Sequence, residues 1–205
     1  MTVYHKIQTV WLRDPTNNYK TLLEGSWAKP EFGYLADCPW ILTEKVDGTN
    51  VRLYRTDLRI GGKTDSAQLY PGLLTECHKI TECAAFRALP EGMILYGEGY
   101  GEKIQAGGGL YRKGQGFILF DVWCNIWLER ASVEEIGNAL GVPVVPVVTQ
   151  CRLTEMIELV RGGMKSLVGE RLSEGVVARP ALEMLNRSGG RIITKLKAKD
   201  FPEVA

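Results

Sequence analysis

The most informative part of this sequence is the stretch Lys45-Val46-Asp47-Gly48, which follows the apolar run Trp40-Ile41-Leu42. An apolar run that gives way to a glycine-containing turn predicts a lysine at the end of a strand, beside a tight bend. A lysine amine is a nucleophile only when neutral, and at its reference pKa roughly one molecule in 2,500 is neutral at pH 7. A Lys-x-Asp-Gly string arises by chance in about one chain in twenty of this length, so an ordinary surface turn is the alternative.

The composition indicates a single globular domain with almost no net charge. The 205 residues are 45% apolar, which is enough for one substantial core, so we expect one domain over residues 1–205. The net charge is only +1, so any anion site must be a local patch. Five scattered cysteines predict reduced thiols, a cytoplasmic location and no structural zinc. The valine-rich segment 142–148 is interrupted by two prolines, and we expect no membrane partner.

The periodicity of the apolar residues predicts an α+β fold, because strands mostly follow strands. Period-two or β-branched runs predict strands at Trp40–Val46, Val51–Arg55, Met93–Tyr96, Phe117–Trp123, Val144–Val148, Gly175–Arg179 and Arg191–Leu196. Helical spacing predicts helices over Gly72–Ala88, from Ser132 (with a Ser132/Glu135 capping box) to a stop at Gly141, and over Thr154–Arg161.

Two glycine-rich segments carry polar side chains that suit a nucleotide. Arg59-Ile60-Gly61-Gly62-Lys63-Thr64 is not a P-loop, because Asp57 stands where that motif needs glycine. Arg59 and Lys63 fit either contact with a phosphate or carboxylate group or solvated surface charge. Tyr96-Gly97-Glu98-Gly99-Tyr100-Gly101 places Glu98 at a predicted strand end, where it fits hydrogen bonding to a ribose, organisation of metal-bound water, or an ordinary glycine-rich turn.

Three further segments add an aromatic, a carboxylate and two cations. The run Phe117–Trp123 fits a core strand or a face that stacks on a nucleobase. Glu174 stands at the entry of an apolar strand, where burial could hold it against a cation or a metal. Strand alternation places Lys195 and Lys197 on one face, and such like charges are best tolerated with an anion between them, although a solvated strand face is the alternative.

In this order, the segments resemble the covalent nucleotidyltransferase superfamily, and most closely its branch of RNA ligases that seal nicked or duplex RNA. The stretch Lys45–Asn50 looks like the nucleophile motif of that superfamily. Asn50 is typical of RNA ligases, whereas DNA ligases and capping enzymes usually have arginine at that place. The resemblance implies a nucleotidyltransferase fold, similar to ATP-grasp, with mainly antiparallel sheets flanked by helices and a nucleotide cleft between them.

The resemblance also implies a role for each matching residue. Lys45 would be the nucleophile, with Asp47 beside it on the turn, and Lys195 and Lys197 would grip the α-phosphate. Glu98 and Glu174 would serve the metal through water. The implied nucleotide-binding residues are Glu44, Asn50, Arg59, Lys63, Glu98, Phe120 (stacked on adenine) and Val177.

The implied activity is ATP-dependent RNA ligation. Lys45 would attack the α-phosphate of ATP to give lysyl-AMP, AMP would pass to a 5′-phosphate end, and a 3′-hydroxyl would displace it. Mg²⁺ or Mn²⁺ is the expected metal, since an oxygen-ligated ion held mostly by water needs no His/Cys cluster. The implied partner is RNA with 5′-phosphate and 3′-hydroxyl ends, in the form of a nicked duplex.

One departure from the resemblance leaves other functions open. Only eight residues follow Lys197, whereas many relatives continue into a C-terminal module, so we expect no accessory domain here and a possible protein partner in its place. The alternatives are a non-catalytic nucleotide- or RNA-binding domain, a ligase subunit that needs a partner, or, less favoured by Asn50, a DNA ligase or capping guanylyltransferase. A compact ligase of this kind would suit a bacterium or a virus, in the latter case acting in the host cytoplasm.

Overall fold

The computed structural model describes residues 3–201 and has an α+β fold built mainly from antiparallel strands. The strands are β1 (Gln8–Thr9), β2 (Trp11–Arg13), β3 (Leu22–Trp27), β4 (Trp40–Glu44), β5 (Thr49–Tyr54), β6 (Ile60–Gly61), β7 (Ile94–Gly101), β8 (Gln115–Cys124), β9 (Ile126–Trp127), β10 (Val147–Cys151), β11 (Gly175–Pro180) and β12 (Thr194–Lys197). The helices are α1 (Pro30–Tyr34), α2 (Pro71–Glu82), α3 (Ala84–Arg87), α4 (Arg130–Leu140) and α5 (Leu153–Arg161), and three short 3-10 helices cover Pro15–Asn17, Gly108–Leu110 and Ala198–Asp200.

The described chain divides into two compact units that alternate along the sequence. Unit 1 contains residues 3–5, 46–145 and 168–170. Unit 2 contains residues 6–45, 146–167 and 171–201. The boundary at 45/46 falls inside the Lys-Val-Asp-Gly stretch, so Lys45 is the last residue of a unit 2 segment and Val46 the first of a unit 1 segment. Whether both units act as one nucleotidyltransferase domain stays a prediction.

Unit 2 is built on a five-stranded sheet in the order β1-β12-β11-β4-β10, in which only the β1–β12 pair is parallel. Alternate residues of its central strands are buried on one face, where they form a core with the apolar side of α5. This core includes Trp40, Leu42, Val176, Ala178, Leu196, Leu153, Met156, Ile157 and Val160. The period-two pattern thus decides which residues, on the opposite face, can reach a ligand.

Unit 1 is built on an antiparallel sheet in the order β6-β5-β7-β8-β9. One face packs against α2 and α4 through a core that includes Val51, Leu53, Leu95, Leu119, Leu73, Cys77 and Val133. The strand register places Asn50 opposite Glu98, and Arg52 opposite Tyr96, on the other face. This second face carries the polar side chains of Asn50, Arg52 and Glu98 and the ring of Tyr96.

Several predicted element boundaries differ from the structure, among them the start of the predicted strand Arg191–Leu196, since β12 begins only at Thr194. Two others are wrong for reasons of backbone chemistry. The predicted strand Val144–Val148 contains Pro146, and the observed β10 begins only at Val147, because proline has no N–H for the sheet. The predicted helix Gly72–Ala88 is interrupted at Cys83, which has extended backbone angles. The Cys83 sulfur accepts a hydrogen bond from Phe86 N at 3.4 Å and so begins α3 as a separate turn.

The prediction for α4 is right at its end and wrong at its start. Gly141 terminates the helix with φ of 63°, a conformation that glycine adopts without steric cost. The helix begins at Arg130, two residues before the predicted Ser132, and Glu129 is its N-cap. Ser132 and Glu135 therefore lie inside the helix and form no capping box at its start. Among residues 3–201, no helix is long and apolar enough to cross a membrane.

Candidate active site

Lys45 lies directly after β4, as predicted, and belongs to a cluster of charged side chains in unit 2. Its backbone N–H donates to the Gly175 carbonyl at 2.9 Å, which continues the pairing of β4 with β11 by one residue. The Lys45 ammonium donates to one carboxylate oxygen of Glu174. The Lys197 ammonium lies 2.6 Å from the other oxygen. Glu174 therefore bridges two lysines that are 152 positions apart in the sequence.

The strand register explains why these residues meet. Val177 of β11 lies between Thr43 of β4 and Lys195 of β12, and Gly175 lies opposite Lys197. Within β12, Thr194 and Leu196 are buried while Lys195 and Lys197 are half-buried, which confirms that the two lysines share a face. The face of the sheet opposite the unit 2 core thus carries the lysines.

Gly175 is required where β11 begins beside β12. Its φ is 147°, a backbone angle that residues other than glycine rarely adopt. An added Cβ would collide with the Leu196 carbonyl and lie 2.7 Å from Lys197 Cα. The preceding turn is held by Ser173, whose hydroxyl donates to the Gly175 carbonyl at 2.9 Å. The sequence Ser173-Glu174-Gly175 therefore fixes the position of the bridging carboxylate.

The pKa values within this cluster follow from burial and from the neighbouring charges. Burial alone would raise the pKa of Glu174, but the Lys45 and Lys197 ammonium groups outweigh it and hold that pKa below its usual value. Burial, helped by the positive charges of Lys197 and Lys45, lowers the pKa of Lys195 to about 8. Lys195, whose pKa is lowered, is thus one of the two lysines that the resemblance assigned to the α-phosphate.

The Glu44 carboxylate lies on the buried side of β4. It is 2% exposed and accepts hydrogen bonds from Ser166 Oγ at 2.5 Å and from Leu167 N at 2.7 Å. Both oxygens are therefore occupied in fixing the 166–167 segment. Val177, in contrast, is half-buried on the lysine face. The predicted nucleotide-binding roles of Glu44 and Val177 stay predictions.

In unit 1, Glu98 lies within β7 and not at a strand end, because β7 continues five residues beyond the predicted end at Tyr96. The adjacent glycines serve protein packing. A Cβ at Gly97 would collide with the Phe117 ring, and a Cβ at Gly99 would collide with Leu73. Glu98 is half-buried, and Asn50 lies directly opposite it on β5.

Asn50 carries a buried polar atom with an open hydrogen-bonding position. Within residues 3–201, its side-chain oxygen is buried and accepts no hydrogen bond. Buried acceptors are nearly always bonded to protein, water or ligand. A hydrogen bond from a ribose hydroxyl to Asn50 stays a prediction.

Phe120 occupies a bulge in β8. Tyr96 pairs with Asp121 and Gly97 with Leu119, so Phe120 has no opposite residue in the neighbouring strand. Its half-buried ring lies 5.1 Å from the Tyr4 ring at an interplanar angle of 74°. Phe117, Leu119 and Val122 of the same strand belong to the buried core. The run is thus core for most of its residues, whereas the stacking of Phe120 on a nucleobase stays a prediction.

The two predicted cations after β5 lie at the surface of unit 1. The Arg59 side chain is 45% exposed, lies over the Tyr54 ring at 4.1 Å and pairs with Asp57 at 3.6 Å. Lys63 is exposed and forms no ion pair with any residue of the range 3–201. Phosphate contacts of either residue stay predictions.

Sequence reasoning missed Arg52, which organises the polar face of unit 1. Its side chain is fully buried and donates to the Gly62 carbonyl at 2.7 Å, the Tyr54 hydroxyl at 2.8 Å and Asp65 at 2.9 Å. An arginine between Val51 and Leu53 in a strand was the available signal, since a buried arginine needs several acceptors.

Two tyrosines were also missed, and no local pattern could have identified them. The Asp47 N–H donates to the Tyr111 hydroxyl at 3.1 Å. The Tyr4 hydroxyl donates to the buried Asp121 carboxylate at 2.7 Å. The partners are 64 and 117 positions apart, so only the folded chain brings them together.

The described residues contain no group of three or more His, Cys, Asp or Glu side chains that could hold a metal ion by themselves. Within the described part of the chain, Glu174 and Glu98 therefore belong to no such group. Such a donor set suits Mg²⁺ or Mn²⁺ held largely by water and substrate phosphates.

Comparison with solved structures finds RNA ligases of the same fold. A ligand-free mutant of the Naegleria gruberi RNA ligase superposes with a TM-score of 0.70 at 19% identity, over 97% of this chain and 56% of that one. A mutant with ATP and Mn gives 0.65 at 21% identity, over 82% and 52%. The same ligase with PPi gives 0.68 at 20% identity, over 96% and 56%. This chain thus spans just over half the length of those proteins, and the similarity confirms the α+β nucleotidyltransferase fold.

Comparison of the amino-acid sequence with known proteins and with family models identifies the family of the chain. No curated protein matches the chain. A family model described as RNA ligase matches residues 38–197, well over half of the chain, from just before β4 to the end of β12. The matched range includes Lys45, Glu98, Phe120, Glu174 and Lys197. The chain therefore belongs to the RNA ligase family.

Proposed function

We propose that this chain is an ATP-dependent RNA ligase of the duplex-sealing branch that acts through a lysyl-AMP intermediate on Lys45. The observation that carries the proposal is the contact of the Lys45 amine with Glu174, beside Lys195 and Lys197 on one face of the unit 2 sheet. Membership of the RNA ligase family supports ligation of RNA. Units 1 and 2 together would form the single adenylyltransferase domain.

In the first step, the neutral Lys45 amine attacks the α-phosphorus of ATP. A nitrogen–phosphorus bond forms, the bond from phosphorus to the pyrophosphate oxygen breaks, and the amine loses a proton. Lys195 and Lys197 would stabilise the negative charge on the α-phosphate oxygens. Glu174 would orient the amine before the attack. Asp47, on the turn that follows, would support this geometry.

The residues of unit 1 would hold the nucleoside and its phosphates. Phe120 has an accessible ring for stacking on adenine. Glu98 and Asn50 share a face and offer acceptors to ribose hydroxyls. Arg59 and Lys63 would contact phosphate oxygens. The proposed contributions of Glu44 and Val177 from unit 2 complete the nucleotide-binding set.

A divalent metal fits the carboxylates that are present. Related ligases have been solved with ATP and Mn and with AMP and Mn, which supports the same ligands here. Mg²⁺ or Mn²⁺, held by Glu174 or Glu98 through water, would neutralise charge on the phosphates as pyrophosphate leaves.

The later steps join two RNA ends. AMP passes from Lys45 to a 5′-phosphate, and a 3′-hydroxyl then displaces AMP to form the phosphodiester. The proposed substrate is a nicked RNA duplex, and a protein partner would supply further strand contacts. Five free thiols support the cytoplasm as the place of action.

The first test is self-adenylation. Purified protein is incubated with α-labelled ATP and Mg²⁺, and we expect a covalent protein–AMP adduct, stable to alkali and hydrolysed by hot acid as a phosphoramidate is, that Lys45→Ala abolishes. Lys20→Ala, at an exposed lysine of unit 2, is the matched control and should label like the wild type. Labelling of Lys45→Ala at the wild-type level would refute the proposal.

A second set of measurements separates the alternatives. Labelling with GTP instead of ATP indicates a capping guanylyltransferase, and preferential sealing of nicked DNA indicates a DNA ligase. Binding of ATP or nicked RNA without any adduct indicates a non-catalytic domain or a subunit that needs a partner. We expect an adduct with ATP and sealing of nicked RNA.

A further inference from the structure

The loop that joins β7 to β8, residues 102–114, is attached to the turn that follows Lys45. Tyr111 accepts a hydrogen bond from Asp47 N at 3.1 Å, and the Gln105 side chain donates to the Gly48 carbonyl at 3.0 Å. A third bond joins the Leu110 carbonyl to Glu170 N at 2.8 Å. These bonds lie within unit 1. We refer to residues 102–114 as the turn-binding loop.

The loop is closely fitted to its turn. An added Cβ at Gly48 would collide with the Gly99 carbonyl, so the turn approaches the end of β7 without a side chain between them. Tyr111 is 6% exposed and packs with Val46 and Tyr100. The loop is therefore a defined surface next to the nucleophile motif.

Three cations of the loop point to an anionic partner. Lys103, Arg112 and Lys113 are exposed, and none of them forms an ion pair with any residue between 3 and 201. The one carboxylate in the loop, Glu102, instead accepts a hydrogen bond from Gly114 N at 3.0 Å. The loop thus carries three positive charges and one negative charge over 13 positions, in a chain whose net charge is +1.

The backbone around these cations is unusual. Lys103 has φ of 64°, a left-handed conformation that is costly for a lysine and is more often found at functional sites. The Arg112 guanidinium lies over the Tyr100 ring at 5.9 Å, and its Nε donates weakly to the Lys113 carbonyl at 3.5 Å. These contacts leave the remaining guanidinium donors available to phosphate.

We propose that the turn-binding loop takes the phosphodiester backbone of the RNA strand that is to be joined, through Lys103, Arg112 and Lys113. This inference rests on the proposed function and adds a strand-binding surface to it. Phosphate contacts position a nucleic acid without reading its sequence, which suits an enzyme that joins ends. Its attachment at Asp47 and Gly48 would place the bound strand beside the motif that carries AMP.

The test measures binding of a 5′-phosphorylated nicked RNA duplex as a function of salt. Each lost phosphate contact reduces the slope of log K against log salt by about 0.7 to 0.9. The triple variant Lys103→Gln, Arg112→Gln, Lys113→Gln is therefore expected to make this negative slope shallower by roughly 2, with weaker binding at low salt. Fluorescence anisotropy of labelled RNA gives both quantities.

The matched control replaces three other exposed cations that form no ion pair within residues 3–201. Lys6→Gln, Lys20→Gln, Arg87→Gln removes the same formal charge and is expected to leave the slope unchanged. Self-adenylation with ATP should remain at the wild-type rate in both triple variants, which also shows that they are folded. Sealing of nicked RNA should fall only in the loop variant.

Two outcomes would overturn the inference. An unchanged slope in the loop variant would show that these cations face solvent or a protein partner instead of RNA, and an equal fall in both triple variants would show a general charge effect. If the wild type forms no AMP adduct, the proposed function fails, yet the binding slopes still test the loop. Lys103→Gly, which suits φ of 64°, offers a single replacement whose expected slope change is about 0.7.

Discussion

Glu174 is the residue on which the lysine cluster depends, because it is the counter-charge of both Lys45 and Lys197. Glu174→Ala would leave two half-buried ammonium groups without that partner and the Lys45 amine without its orienting acceptor. We expect the rate of adduct formation to fall by about 10²-fold, the scale seen when one electrostatic contact is removed from an active site. Single-turnover labelling with α-labelled ATP measures this rate.

The control for this prediction is Glu155→Ala, which removes a carboxylate from a surface pair with Arg152 at 2.9 Å. Exposed pairs contribute little to stability, so this variant should label normally. A Glu174→Ala protein that labels as fast as the control would contradict the assigned role.

Lys195 makes stability depend on pH in a defined direction. Its pKa in the folded protein is about 8, against a reference of 10.5, because of burial and the charges of Lys197 and Lys45, with Glu174 opposing and Arg13 contributing slightly. Between these values the unfolded chain binds more protons, so the contribution of Lys195 to the free energy of unfolding rises from about pH 8 to 10.5.

Urea unfolding at several pH values from 7 to 10 tests this dependence. The free energy of unfolding of the wild type should increase relative to that of Lys195→Met as pH rises above 8. The corresponding difference for the exposed Lys20→Met should stay constant. Parallel curves for wild type and Lys195→Met would exclude the lowered pKa.

The residue roles show what sequence could and could not predict. Period-two alternation was sufficient to place Lys195 and Lys197 on one face. It could not show that Glu174 lies between Lys45 and Lys197, because Lys45 and Glu174 are 129 positions apart and meet only through strand pairing. The resemblance assigned Glu174 to a metal, and its observed ion pairs add a second role.

At the scale of elements, the start of β11 depends on Gly175. Gly175→Ala combines an unfavourable φ of 147° with a collision against the β12 backbone, so β11 and β12 would have to separate locally. We expect a loss of more than about 2 kcal/mol in the free energy of unfolding, since unfavourable φ alone costs about 1–2 kcal/mol.

Gly92→Ala is the matched control, because Gly92 also has positive φ, of 81°, but has open space at the Cβ position. The difference between the two variants in urea unfolding isolates the close approach of the strands. Equal losses would show that the approach of β11 to β12 contributes nothing.

The short segment before β1 is joined to β8 through Tyr4. Tyr4→Phe keeps the ring against Phe120 and removes the hydrogen bond to the buried Asp121. Hydrogen bonds to charged groups contribute about 1.5–3 kcal/mol, and we expect a loss of that order in urea unfolding. Tyr34→Phe, at a side chain that is 86% exposed, should be neutral. A neutral Tyr4→Phe would show that the segment is not held by this bond.

Element boundaries were predictable where side-chain pattern and backbone chemistry agree. The α4 stop at Gly141 followed from glycine alone. The length of β7 did not, because Gly97, Gly99 and Gly101 have the composition of a turn, while the Phe117 and Leu73 side chains fill the space at Gly97 and Gly99 and the Gly114 carbonyl fills it at Gly101. Tertiary packing overrides the weak strand propensity of glycine in this case.

At the scale of the whole molecule, the fold class followed from the order of strands and helices, but the division into two units did not. The chain passes between the units at positions 5/6, 45/46, 145/146, 167/168 and 170/171, and neither of the crossings that bound the long segment 46–145 has a linker-like composition. The strands β1, β2, β6 and β9 contain two or three residues each and offer no periodicity to detect. The division into units and the short strands both depend on contacts between residues that are distant in sequence.

The five cysteines give a prediction for the protein as a whole. All five are free, and Cys38 is exposed while burial raises the pKa of Cys77 to about 12. We expect Ellman's reagent to react rapidly at Cys38 and to reach Cys77 only in denaturant, where all five thiols should titrate with or without prior reduction. The variant Cys38→Ser is the control for the rapid phase. Fewer than five thiols without reduction would contradict the free state.

The bridge formed by Glu174 also has a thermodynamic consequence for anion binding. Lys45 and Lys197 already possess a counter-ion that is covalently part of the chain. A phosphate that reaches them competes with this tethered carboxylate and displaces few mobile ions from solution. Affinity at the cluster would therefore respond weakly to ionic strength, because an exchange between two anions takes the place of the ion release that usually accompanies phosphate binding.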